Sequence, residues 1–382
     1  MILLNEPNIK NNSKKYIQNC LDTNWVSTSG LYIKKFERKI KKITNSKYVT
    51  LTNSGTSALH LALMVAGVKK NTEVICPSMS FISPINAIIY CGASPIFFDC
   101  DENYNLNIKD VLSFLQTKTE FKNNKTYNLK TSKVITAVIV VHMWGNVCDF
   151  SNIKKFCRQR NIKIIEDASE SLGSYFVKQN KKIHTGVLGD FGCLSFNGNK
   201  IITTGSGGAV LTSSRSYKKK IDYFSAQAKD DSVRFKHNDI GYNYRMANLN
   251  AALGLSQIKH LKNFVQKKRK IRLYYERGFK HKKGITMLQY PKQHENNFWL
   301  NILLISKTIK KTPYQIHQYL LKHKIETRMI WYPCHLQVKM RKFQKFKMNS
   351  TRSYYNRSLC LPSGTSLSKA KIDKVIDCIC KI

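Results

Sequence analysis

The chain has 382 residues, 42% of them hydrophobic, and carries 64 Lys and Arg against 23 Asp and Glu, a formal net charge of +41. That length exceeds the ~100–200 residues of one typical domain and supplies ample core, which excludes a disordered chain and predicts a large domain with a smaller one. No apolar run approaches the ~20 residues that span a bilayer. Eleven cysteines, an odd count without regular spacing or a secretory segment, predict a reduced, cytoplasmic chain with no disulfide framework.

In chain order, Tyr32 to Ile43 reads as an amphipathic helix with Ile33, Phe36, Ile40 and Ile43 on one face. Alternation follows: strand Lys47 to Leu51, helix Thr56 to Ala66, strand Glu73 to Cys76, helix Ser83 to Tyr90, strand Pro95 to Phe98, helix Ile108 to Leu115. The polar, lysine-rich Thr117 to Ser132 reads as a surface loop. Strand Val134 to Val141, helix Ile153 to Gln159 and strand Ile162 to Glu166 resume the pattern, followed by strands Phe191 to Phe196 and Ala209 to Thr212 and helix Ser214 to Phe224. This predicts an α/β fold with a mostly parallel sheet covered by helices. A long helical stretch, Ala247 to Glu276, leads to a smaller α/β layer with strands Ile302 to Ser306 and Ile330 to Trp331 and helices Pro313 to His323 and Leu367 to Cys380. The expected division is a segment 1–24 packing on the small domain, a large cofactor-binding domain 25–245, a linking helix 246–278 and a small domain 279–382.

Three features carry chemistry. Lys200 lies in Ser195-Phe-Asn-Gly-Asn-Lys-Ile-Ile-Thr-Thr-Gly-Ser-Gly-Gly208, between a short apolar strand and a glycine-rich turn that holds a bound group close. The strand ending on Glu166-Asp167 brings an acid to the carboxyl edge of a parallel sheet, where ligands bind. Thr52-Asn53-Ser54-Gly55-Thr56-Ser57 directly precedes a helix, whose free amides suit a phosphate dianion. Each has a bland alternative: a solvated lysine, an aspartate capping a helix, an ordinary helix start. Their order suggests pyridoxal phosphate (PLP), with the lysine as imine-forming amine and the aspartate keeping the pyridine nitrogen protonated.

Asn53-Ser-Gly-Thr-Ser-Ala-Leu59, Glu73-Val-Ile-Cys-Pro-Ser-Met-Ser-Phe81, Glu166-Asp-Ala-Ser-Glu-Ser-Leu-Gly173, the Lys200 segment and Gly241-Tyr-Asn-Tyr-Arg-Met246 together resemble the DegT/StrS family of nucleotide-sugar aminotransferases, from about Asn24 to Leu361. The resemblance implies the fold type I architecture of PLP-dependent aminotransferases. It implies that Lys200 carries the cofactor and moves the proton, and that Asp167 meets the pyridine nitrogen. Phe81 would stack on the ring, and Gly55, Thr56 and Ser195 would bind the phosphate. A homodimer with shared active sites is implied too, Asn243, with Arg245 beside it, reaching the neighbouring subunit's phosphate.

Where many relatives carry glutamine or histidine near the cofactor's phenolic oxygen, this chain has Glu170, which when ionised only accepts hydrogen bonds. It is protonated, turned towards the imine nitrogen, or merely nearby. Asn197 stands where many relatives have a histidine, and Ser206 where an acid or a fourth glycine is usual. The lysine segment, with Ala226 to Asp231 and His237 to Arg245, is similar to the legionaminic-acid branch. That implies amination at C4 of a UDP- or GDP-linked 2-acetamido-2,6-dideoxy-4-keto sugar, with glutamate as amino donor. Substrate candidates are Ser29 in Trp25-Val-Ser-Thr-Ser-Gly30, Asn197, Arg245, and Arg328, Tyr332 and His335, of which His335 is favoured; His142-Met-Trp-Gly145 is a further sheet-edge candidate.

Two other readings compete. A non-catalytic regulator with the same fold would use its basic surface on nucleic acid. A dinucleotide-dependent oxidoreductase needs a Gly-x-Gly-x-x-Gly opening a helix after the first strand, which is lacking. Lysine clusters such as Lys34 to Lys42 and Lys267 to Lys270 are spread over several helices, without a nucleic-acid-binding aromatic motif, so no specific nucleic acid is expected. No Cys-x-x-Cys pair occurs, and no metal or membrane insertion is expected.

Overall fold

The computed structural model describes residues 1–10 and 12–382. Helices α1 (Asn12–Asp22) and α2 (Leu31–Thr44) precede β1 (Tyr48–Thr52), α3 (Gly55–Val65), β2 (Thr72–Pro77), α4 (Ser83–Tyr90), β3 (Ser94–Phe98) and α5 (Ile108–Thr117). The hairpin β4 (Thr119–Lys122) and β5 (Lys125–Asn128) leads into β6 (Val134–Val141), α6 (Ser151–Gln159) and β7 (Lys163–Asp167). A second hairpin, β8 (Tyr175–Lys178) and β9 (Lys181–His184), is followed by β10 (Phe191–Ser195), β11 (Gly208–Thr212) and α7 (Arg215–Ser225). Then come β12 (Lys229–Asp231), β13 (Lys236–His237), α8 (Asn248–Ile258), α9 (Leu261–Gly278), β14 (Ile285–Met287), β15 (Asn301–Ile305) and α10 (Pro313–Lys322). The chain closes with β16 (Arg328–Met329), β17 (Lys345–Phe346), α11 (Thr351–Tyr355), β18 (Ser358–Leu361) and α12 (Lys369–Cys380).

The large sheet runs β1-β11-β10-β7-β6-β2-β3-β17. Pairings from β10 through β17 are parallel, and those of β11 with β1 and β10 antiparallel. Its middle strand β6 is Val-Ile-Thr-Ala-Val-Ile-Val-Val, β-branched in all but one position, as suits a strand buried on both faces. Ile165 of β7 packs with Ala58 and Leu61 of α3, whereas Ile164 packs on the opposite side with Phe114 of α5 and Ile153 of α6. Two positions further on, Asp167 therefore emerges on the α3 side of the sheet.

A second sheet, β14-β15-β18-β16, is antiparallel, and its core brings Leu303 and Leu359 against Ile271 and Tyr275 of α9, Ile316 and Leu320 of α10 and Val375 of α12. The first residues tie to this layer: Ile2 bridges to Ile325, and Leu4 O accepts from Ser363 N at 2.6 Å. β17 crosses back to pair with β3 of the large sheet. Among the described residues no helix is long and apolar enough to cross a membrane.

Three expectations are corrected, and one helix was not foreseen. Thr117 to Ser132 is not a loop: β4 and β5 pair around Asn123 and Asn124, both in the left-handed region (φ 50° and 60°), the two-residue geometry that matches strand twist. The helical stretch Ala247 to Glu276 breaks at Lys259–His260, because α8 packs among α1 and α2 while α9 directs Ile271 and Tyr275 into the smaller core. Ile330–Trp331 is not a strand; the pairing falls two residues earlier, at Arg328↔Cys360 and Met329↔Leu359. Helix α1 was not foreseen, although Tyr16, Ile17, Cys20 and Leu21 recur at helical spacing; only Ser13 and Cys20 of it are buried.

Backbone closeness under β10 depends on Gly192, where an added Cβ would lie 1.9 Å from Gly186 O. Gly198, by contrast, faces open space. Gly192→Ala should therefore lower stability in urea unfolding by about 3 kcal/mol, and Gly198→Ala by less than about 0.5 kcal/mol. Equal stabilities would contradict this packing.

Candidate active site

The strand-end pair Glu166-Asp167 divides by face. Glu166, turned away from α3, accepts from Gly186 N (2.8 Å), Leu188 N (2.7 Å), Gly189 N (2.6 Å) and His142 Nε2 (3.0 Å). His142 Nδ1 in turn accepts from Cys148 N at 3.1 Å, which fixes the neutral Nε2–H tautomer. Glu166 is thus a scaffold carboxylate holding the Gly186–Gly189 turn. His142 and Trp144 are fully buried in this scaffold, so the sheet-edge candidates of that segment do not line the cavity.

Asp167 opens instead into a cavity of about 400 Å³. Its Oδ1 accepts from Ser169 N at 3.1 Å, and burial pushes its pKa up, with the Ser169 side-chain and backbone hydrogen bonds and the Lys200 charge pulling the other way. A buried carboxylate in an open cavity is a natural partner for a cation. Lys200 enters the same cavity from the loop after β10, closed by Lys200 N donating to Asn197 O (3.0 Å) and Thr204 N to Phe196 O (2.9 Å). Its Nζ lies 4.0 Å from the centre of the Trp299 ring and 3.7 Å from Glu170 Oε1. Glu170 Oε2 accepts from Trp144 N at 2.7 Å. Burial pushes Glu170 up to about 7, against the lowering effect of Lys200 and the Trp144 amide.

Trp144 delivers that amide from the left-handed region (φ 52°), which costs a side-chain-bearing residue roughly 1–3 kcal/mol. Asn297 clamps the same corner: its Nδ2 donates to Glu170 O (3.0 Å) and Leu172 O (2.9 Å), and its Oδ1 accepts from Trp299 N (2.8 Å). Trp299 Nε1 donates to Asn199 O at 2.8 Å, beside the lysine. Behind it, buried Lys268 donates to Trp299 O (2.9 Å), Asn5 Oδ1 (2.8 Å) and Ser363 O (2.6 Å), joining α9, the N-terminal segment and the small layer.

The opposite wall is the start of α3. Ser54 caps the helix by accepting from Ser57 N at 3.0 Å, leaving the Gly55 and Thr56 amides without intrahelical partners. A Cβ on Gly55 would meet Ser195 Cβ at 2.8 Å, and one on Gly208 would meet Ser54 O at 2.5 Å. Only glycine lets these backbones converge. Ser195, Ser169, Ser206 and Thr56 ring the space, and Phe81, half exposed, stands at its rim with Trp331 5.4 Å away, edge to face.

Of the sequence candidates, Gly55, Thr56, Phe81, Asp167, Glu170, Ser195, Asn197, Lys200 and Arg328 converge on this cavity. His335, the favoured substrate residue, does not. The turn Pro333 to Leu336 is anchored by Cys334 N donating to Ser78 O, and it tucks the imidazole inward against the Ser78 hydroxyl. Tyr332 packs edge-on against Tyr355, outside the cavity. Ser29 and Arg245 line a different cavity with Glu37 and Lys218, and Asn243 is exposed, its carbonyl accepting from Asn53 Nδ2 at 3.1 Å. Trp299, Trp331 and Ser169 were missed. Nothing in the sequence links Trp299 to a lysine 99 positions earlier, though Ser169 lies inside a motif already singled out.

The family description DegT/DnrJ/EryC1/StrS aminotransferase matches residues 7–380. The chain belongs to this family. GDP-perosamine synthase of Escherichia coli O157:H7 is 32% identical over 379 residues, covering 98% of this chain and 96% of that one. The UDP-4-amino-4,6-dideoxy-N-acetyl-beta-L-altrosamine transaminase of Campylobacter jejuni is 30% identical over 66% of this chain and 63% of its own. In fold, Helicobacter pylori PseC, an aminotransferase of pseudaminic acid biosynthesis, superposes with a TM-score of 0.88 at 23% identity, covering 100% and 98% of the two chains.

The aminotransferase is thus a PLP-dependent enzyme acting on sugars, and its cavity fits the cofactor. Asp167 offers the acid a pyridinium N–H needs, the α3 amides and Ser195 offer a phosphate cradle, and Lys200 lines the same cavity. Asp167→Asn should keep the bound cofactor's absorbance while turnover falls at least ~100-fold, because an amide cannot hold the ring nitrogen protonated. Unchanged turnover would contradict the assignment.

Proposed function

We propose that this aminotransferase moves an amino group from glutamate to C4 of a UDP- or GDP-linked 2-acetamido-2,6-dideoxy-4-keto sugar, for nonulosonate biosynthesis of the legionaminic-acid type or for another surface glycan. The observation that carries the reading is one ammonium, Lys200, facing two buried carboxylates beside an open helix N-terminus in a single cavity. Relatives named for dTDP-4-amino-4,6-dideoxy-D-glucose and for UDP-4-amino-4,6-dideoxy-N-acetyl-beta-L-altrosamine support amination at C4 of a nucleotide-linked sugar.

Bound PLP supplies the covalent handle and electron sink for the transfer. The protein does the rest. Gly55, Thr56 and Ser195 would hold the phosphate, Phe81 would cover a ring face, and Asp167 would meet the ring nitrogen. Lys200 Nζ, as a free amine, would move the proton between the substrate carbon and the cofactor carbon in each half of the transfer. Trp299 and Trp331 exclude water from that transfer. Asn197 and Arg328 face the substrate side, and the Arg328 guanidinium, nearly half exposed and 3.6 Å from Glu326, suits a diphosphate or the donor carboxylate. The charge of +41 draws such anions towards the surface.

Ser29, Asn243 and Arg245 lie away from this cavity in one chain. We read the enzyme as a homodimer in which Asn243 and Arg245 complete the neighbouring site, supported by the exposed Asn243 side chain on a backbone fixed to Asn53. Purified enzyme given PLP, glutamate and each keto sugar nucleotide should yield the 4-amino sugar nucleotide by mass spectrometry, with one 2-oxoglutarate per product. Cofactor-loaded enzyme that aminates none of them would overturn the reading. Mixing inactive Lys200→Ala and Asn243→Ala subunits should restore roughly a quarter of wild-type activity, one intact site in half of the dimers. No recovery despite proven subunit exchange would rule out the shared site.

A further inference from the structure

Glu170 differs from the other acids of the molecule in having one oxygen committed and one aimed at the reacting lysine. Oε2 is held by the Trp144 amide at 2.7 Å, while Oε1 lies 3.7 Å from Lys200 Nζ. The backbone that carries it is fixed, because Asn297 donates to the Glu170 and Leu172 carbonyls and packs against Gly145, where a Cβ would collide with the Asn297 side chain. Both partners are largely shielded from water, with 6% of the Glu170 and 14% of the Lys200 side chain exposed.

We propose that Glu170 is the proton partner of Lys200: it takes the ammonium proton when the lysine must act as an amine, and gives it back when the lysine must be charged. An N–H bond breaks as an O–H bond forms, and the reverse step restores both; no oxidant, reductant or third reactant is involved. The inference rests on the reading of Lys200 as the cofactor-carrying lysine.

The surroundings suit such an exchange. The titratable groups acting on Glu170 or acted on by it come from separate elements: Lys200 from the loop after β10, Asp167 from β7, Cys360 from β18 and Tyr290 from the segment after β14. Lys200 is the cation among them. Arg272 lies 5.5 Å behind the Tyr290 ring, and Arg328 acts on Cys360. Burial and the Asp167 charge favour the protonated carboxyl, whereas Lys200 and the Trp144 amide favour the ionised one, leaving Glu170 at about 7. A group balanced there releases and accepts protons readily at neutral pH.

Glu170→Gln keeps the shape and a carbonyl oxygen for the Trp144 amide but cannot carry the proton. In cofactor-free protein, labelling of Lys200 by an amine-reactive reagent, followed across pH by peptide mass spectrometry, should reach its midpoint at least about one pH unit lower in E170Q, because a neighbouring carboxylate favours the ammonium. The same downward displacement is expected in the pH titration of the bound cofactor's absorption. Coincident midpoints and coincident absorption titrations in wild type and E170Q would overturn the proposal. Failure of the underlying reading is seen separately, as a borohydride-reduced cofactor adduct that maps to a lysine other than Lys200.

Discussion

One constraint organises the site: two carboxylates and one ammonium share a cavity largely closed to water. Charges removed from water are tolerated only when each finds a counter-charge or donors. Glu170 has Lys200 and the Trp144 amide, and Asp167, in the same cavity, has the Ser169 hydrogen bonds and the Lys200 charge. In the proposed arrangement the protonated ring nitrogen of PLP would stand opposite Asp167, and Lys200 would be the cofactor's anchor.

The fold meets that constraint by convergence. The parallel strands β6, β7 and β10 end on one edge, so Asp167 and the Lys200 loop arrive side by side, and the α3 N-terminus faces them across glycines that admit no side chain. The remaining wall comes from the later part of the chain. Asn297 and Lys268 place Trp299 against the lysine, and Lys268 also binds Asn5 and Ser363. Cofactor pocket, N-terminal segment and smaller layer are therefore one polar network, and the site belongs to the assembled chain.

What the sequence revealed follows from what is local. Strand ends, the Ser54 cap and the glycine turn are written in contiguous residues, so Asp167, Lys200, Gly55 and Thr56 were legible, as was the α/β alternation. The Asn123-Asn124 turn was also local, yet it was read only as polar loop, and α1 was passed over although Tyr16, Ile17, Cys20 and Leu21 recur at helical spacing. Trp299 was illegible because its approach to Lys200 is purely tertiary. His335 failed for a different reason: a histidine's chemistry says nothing of which way its ring turns, and the Cys334–Ser78 hydrogen bond turns it inward.

Reduction of the cofactor-loaded enzyme with borohydride, followed by peptide mass mapping, tests the account most directly. It predicts the reduced cofactor's mass on the peptide containing Lys200. The same mass on any other lysine, or a coloured enzyme that yields no modified peptide, would contradict it.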